Sequence, residues 1–60
     1  MKYLENLIAM TIEYLEELNS KLDSNDYEAM LQIMNNIMNC TLQTHKIIKR
    51  EKANAEAERR

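Results

Sequence analysis

The chain has 60 residues, 30% of them charged, and a formal net charge of −2 at neutral pH. This length holds one domain at most, and a chain so short buries only about 60% of the surface its unfolded form exposes. Cys40 is the single cysteine, so no disulfide within these residues can staple the fold, and oligomerisation is the expected substitute.

Glycine, proline, Phe and Trp are all absent. Glycine and proline punctuate turns, and the residues present (Leu, Glu, Met, Lys, Ala, Ile) are mostly good helix formers. The expectation is an all-α chain with very few connections. Charge is segregated. Residues 1–45 carry seven acids and two bases, a balance of −5, whereas residues 46–60 carry six bases and three acids, a balance of +3. Glu5, Asn6 and Glu13 interrupt the N-terminal apolar stretch, so it reads neither as a secretory signal nor as a membrane span. With a lone free cysteine, this points to a cytoplasmic protein that has no membrane partner.

The first helix is predicted over about residues 2–23. Leu4, Ile8, Thr11, Leu15, Leu18 and Leu22 follow each other at steps of four and three, the spacing of a coiled-coil seam. A second line, Tyr3, Leu7, Met10 and Tyr14, widens the apolar face beyond what one partner helix covers.

The connection is predicted at residues 24–26. Asn25 suits a left-handed residue past a helix end, and Asp26 suits the N-cap of the next helix. Glu28 adds an acid to its first turn, where the helix dipole favours one. The stretch LDSNDYEAM resembles the intra-repeat turn of tetratricopeptide helical pairs, which implies a tight antiparallel helix pair.

The second helix is predicted from residue 27 without a stop signal. Tyr27, Met30, Ile33, Met34, Ile37, Cys40, Thr41, Ile47 and Ile48 make a broad apolar face, widened by Leu31, Met38 and Leu42. What remains is a narrow polar stripe: Gln32, Asn35, Asn36, Asn39, Gln43 and Lys46. The apolar pattern stops at Ile48. Residues 1–48 therefore form a helical hairpin, and residues 49–60 a charged helical tail that overhangs it. Both helices offer more apolar surface than a two-helix contact uses, so the hairpin is expected to homodimerise into a four-helix bundle. Leu4, Ile8, Leu15, Leu18, Met30, Met34, Ile37, Cys40 and Ile48 are the candidates for core and dimer contacts.

Catalysis is a poor fit. Cys40 and His45 are five positions apart, about 140° around a helix, so they cannot meet within one chain. There is no phosphate-cradling loop and no set of ligands at zinc spacing. Met30, Met34 and Met38 form a ladder of thioethers, but methionine usually fills gaps in cores. No cofactor or metal is expected.

Recognition is the better reading. Uncharged amides on a helix face (Gln32, Asn35, Asn36, Asn39, Gln43) suit a docking surface for a protein, and Lys46, Lys49 and Arg50 suit an acidic protein surface or nucleic-acid phosphates. Nucleic-acid binding through residues 46–60 is the alternative, and a self-associating scaffold component a third. The leading expectation is a small regulatory or adaptor protein, by analogy a phage- or plasmid-encoded one, that blocks or bridges a protein target. Tyr14, Tyr27 and Arg50 are the expected hot spots if exposed.

Overall fold

The computed structural model describes residues 2–58. Two helices, α1 (Lys2–Ser20) and α2 (Tyr27–Glu58), pack against each other, and no strand occurs among the described residues. The molecule extends over 54 × 17 × 12 Å. With its 32 residues α2 is about 48 Å long. It therefore sets the long axis and runs on past the first turn of α1 as a continuous helix.

The first helix ends earlier than the sequence suggests. α1 stops at Ser20, and residues 21–24, which the apolar spacing assigns partly to the helix, are wound into tight turns. The N–H groups of Lys21, Leu22 and Ser24 donate to the carbonyls of Leu18, Asn19 and Lys21, each three residues back. Two short hydroxyl side chains compete for carbonyls here. Ser20 Oγ donates to Glu17 O at 2.6 Å, and Ser24 Oγ donates to Lys21 O at 2.7 Å.

Asn25 then takes the left-handed conformation, with φ 60°, which reverses the chain without a glycine. Asp26 caps α2: its carboxylate accepts the Ala29 N–H at 3.2 Å, and its carbonyl accepts the Met30 N–H at 3.1 Å. Ser24 Oγ also accepts the Asp26 N–H at 3.2 Å, which ties the turn to the cap.

The intramolecular seam is a heptad pattern on both helices. Along α1 the less exposed residues are Leu4, Leu7, Thr11, Tyr14 and Leu18; along α2 they are Met30, with Ala29 beside it, Ile33, Ile37, Cys40, Thr44 and Ile47. Among the described residues, only Leu7 (4% exposed), Ile33, Ile37 and Cys40 are buried. The threonines in the seam do not leave their hydroxyls orphaned. Thr11 Oγ1 donates to Leu7 O at 2.9 Å and Thr44 Oγ1 to Cys40 O at 2.8 Å. Among the described residues, no buried side-chain nitrogen or oxygen lacks a partner.

This seam corrects the one read from the α1 sequence. Leu4, Thr11 and Leu18 are shared, but Leu7 and Tyr14 take the places expected of Ile8 and Leu15, which stay 47% and 48% exposed. Two apolar lines flank the shared residues, and either completes a heptad. Which one turns inward depends on the partner helix, and hence on tertiary packing.

Candidate interaction surface

α2 carries three lines of side chains, each at steps of three and four. The middle line, Met30 to Ile47, packs on α1. To one side run Tyr27, Leu31, Met34, Met38, Thr41, His45 and Ile48; to the other run Gln32, Asn36, Asn39, Gln43, Lys46 and Arg50. Every residue of these two outer lines is exposed. α1 is arranged in the same way. Ile8, Ile12, Leu15, Asn19 and Leu22 flank its seam on one side, and Tyr3, Asn6, Met10, Glu13 and Glu17 on the other.

A single contact fixes which flanks share a face. The Tyr3 hydroxyl donates to Gln43 Oε1 at 3.3 Å. The Tyr3 line of α1 and the amide line of α2 therefore lie on one side of the hairpin. The two remaining flanks, both apolar, lie together on the opposite side.

The apolar face is broad. Ile12, Leu31, Met38 and Ile48 are all half exposed or more. The chain exposes 5111 Å², whereas a compact monomer of this mass exposes about 4,100 Å². The overhanging tail contributes part of the excess, and the uncovered face the rest. Monomeric soluble proteins rarely leave contiguous apolar patches larger than roughly a few hundred Å² bare.

The opposite face is polar. Tyr3, Gln43, Lys46, Ile47 and Arg50 line a shallow, open groove of about 220 Å³. Lys46 and Arg50 stand one turn apart at its rim. The ion pair found among the described residues joins Lys52 to Glu56 further along α2, at 3.9 Å with both side chains exposed. This leaves Lys46 and Arg50 available to an outside anion.

The candidates from the sequence divide between these surfaces. Gln32, Asn36, Asn39, Gln43, Lys46 and Arg50 line the polar face. Asn35 and Lys49 are exposed but lie off this line, on the outer side of α2. Of the core and dimer candidates, Ile37 and Cys40 are buried in the seam, and Leu4, Leu18 and Met30 are half-buried there. Ile8, Leu15, Met34 and Ile48 are on the apolar face instead. Tyr14 is half-buried in the seam and so is not a free hot spot, while Tyr27 (67% exposed) and Arg50 are accessible.

Sequence reasoning missed Ile12, which extends the α1 apolar flank one turn from Ile8. The same three-and-four spacing applied to a second register would have found it. It also treated Tyr3 as an apolar widening residue, although its hydroxyl reaches α2.

Cys40 is buried and His45 exposed, on different lines of α2. Among the described residues, no three His, Cys, Asp or Glu side chains are grouped to hold a metal ion, and no helix is long and apolar enough to cross a membrane. Comparison with protein families, curated proteins and solved structures gives no match to this chain.

Proposed function

We propose that this chain is a small, non-catalytic adaptor or regulator that homodimerises through its apolar face and binds a protein partner through its polar face. The observation that carries the reading is the opposition of the two faces. A second hairpin seated on Ile8, Leu15, Leu31, Met34 and Met38 completes a four-helix bundle. It also leaves both copies of the amide line and of the Tyr3–Gln43 groove pointing outward. Amides bind protein surfaces without the large desolvation cost of charges, and Lys46 and Arg50 at the groove rim supply attraction for acidic side chains. The dimer would act by steric blocking or by bridging two target molecules.

The test is affinity capture from cells of the source, with and without nuclease. The baits are the full chain, an Asn36→Glu/Asn39→Glu variant, and a Lys46→Ala/Lys49→Ala/Arg50→Ala variant. A defined protein that survives nuclease and is lost with the amide variant supports the reading. Recovery that requires nucleic acid, falls steeply with salt and is lost only with the basic variant replaces it with nucleic-acid binding.

A further inference from the structure

We infer that the second copy packs in reverse, with the two turns at opposite ends of the bundle and α2 lying antiparallel along α2. This rests on the proposed dimer and adds its arrangement. A two-fold bundle of hairpins joined by their apolar faces has two forms: the turns at the same end, or at opposite ends.

Charge separates the two forms. The turn end of the hairpin carries Asp23, Asp26 and Glu28 against one base, Lys21, a balance of −2. The other end of the hairpin body carries Lys46, Lys49, Arg50 and Lys52 against one acid, Glu51, a balance of +3. With turns at the same end, −2 meets −2 at one end and +3 meets +3 at the other. With turns opposed, the basic end of each copy comes level with the acidic turn of the other, with Lys52 on the facing side and Lys46, Lys49 and Arg50 further round α2.

Register agrees with charge. The apolar flank of α2 begins at Tyr27 and ends at Ile48, so a second copy that covers it fully in reverse sets Ile48 opposite Tyr27. The same register carries Lys52, one turn beyond Ile48, past Tyr27 to the level of the second copy's turn. Lys52 continues that flank line one turn beyond Ile48, and so points toward the second copy rather than toward the polar groove. Its own Glu56 bridge is long and exposed, hence readily exchanged.

The experiment is a pulsed-dipolar spin-label distance measurement on the full chain. A nitroxide is placed on Ser24→Cys in the exposed turn, in a Cys40→Ala background. The reversed arrangement separates the two labels by about 40 Å, the rise of some 27 helical residues. A distance of about 10–20 Å, the spacing of neighbouring helices plus the label arms, overturns the arrangement and leaves the dimer standing. A monomer mass under the same conditions overturns both. A label-free pair of variants gives a second reading. Lys52→Glu is expected to weaken the dimer about tenfold at low salt, and adding Asp23→Lys to restore most of it. Failure of that rescue in a folded protein also counts against the reversed packing.

Discussion

The Tyr3 hydroxyl and the Gln43 side chain, 40 positions apart in sequence, are joined by a hydrogen bond at 3.3 Å. The bond is exposed and contributes little to stability, but it marks how the two helices are rotated against each other. Because Tyr3 and Gln43 share a side, the apolar flanks of α1 and α2 share the other, and the hairpin has one polar and one apolar face. Tyr3→Phe is expected to cost at most about 0.5 kcal/mol in urea unfolding, since both groups are satisfied by water when unpaired. A loss of several kcal/mol would mean that the groove is a structural element in its own right.

The core is small enough for one deletion to dominate it. Ile33 and Ile37 are two of the four side chains buried among the described residues. Ile33→Ala should remove about 2–4 kcal/mol, a large fraction of what a chain of this size holds. Circular dichroism at 25 °C should show helicity falling well below the wild-type value. Retained helicity with an unchanged urea midpoint would place the core elsewhere.

The turn offers a paired test of local structure. Asp26→Ala removes the acceptor of the Ala29 N–H and should cost about 1 kcal/mol. Asn25→Gly should be neutral or slightly stabilising, because φ is 60° there. Asn25→Val should be destabilising, because its branched side chain resists that conformation. Thermal unfolding of the three variants reads the order directly. An equal effect of glycine and valine would contradict a left-handed Asn25.

Much of this hairpin was legible in the sequence. The helix pair, the left-handed asparagine, the Asp26 cap and the start of the second helix follow from local chemistry, which acts within a few residues. The rotation of α1 was not legible, because its apolar surface is wider than the contact it makes. Leu4, Thr11 and Leu18 belong to two overlapping heptads, and only α2 decides between Leu7 and Ile8. The end of α1 was hidden for a related reason. Leu22 continues the apolar spacing, but Ser20 and Ser24 hold the carbonyls behind them and tighten the chain before Leu22 reaches another helical turn. The polar face was visible as a run of amides, whereas its groove needed Tyr3 from the other helix.

Cys40 gives a probe of opening. Its thiol is buried in the seam, so a thiol reagent should react slowly in buffer and quickly in urea, with a native rate set by transient unfolding. If the dimer covers the hairpin, that rate should fall as protein concentration rises. Fast, concentration-independent labelling would mean that the seam is open in solution.

The most direct measurement is sedimentation equilibrium across micromolar concentrations, on the wild-type chain and on Met34→Glu/Met38→Glu. These two methionines lie in the middle of the apolar face and outside the α1–α2 seam. The wild-type chain is expected at twice its monomer mass of 7.1 kDa, and the variant at the monomer mass with a weakened fold. A wild-type monomer that keeps its full helicity across the range would contradict the account, because the face would then be stable uncovered.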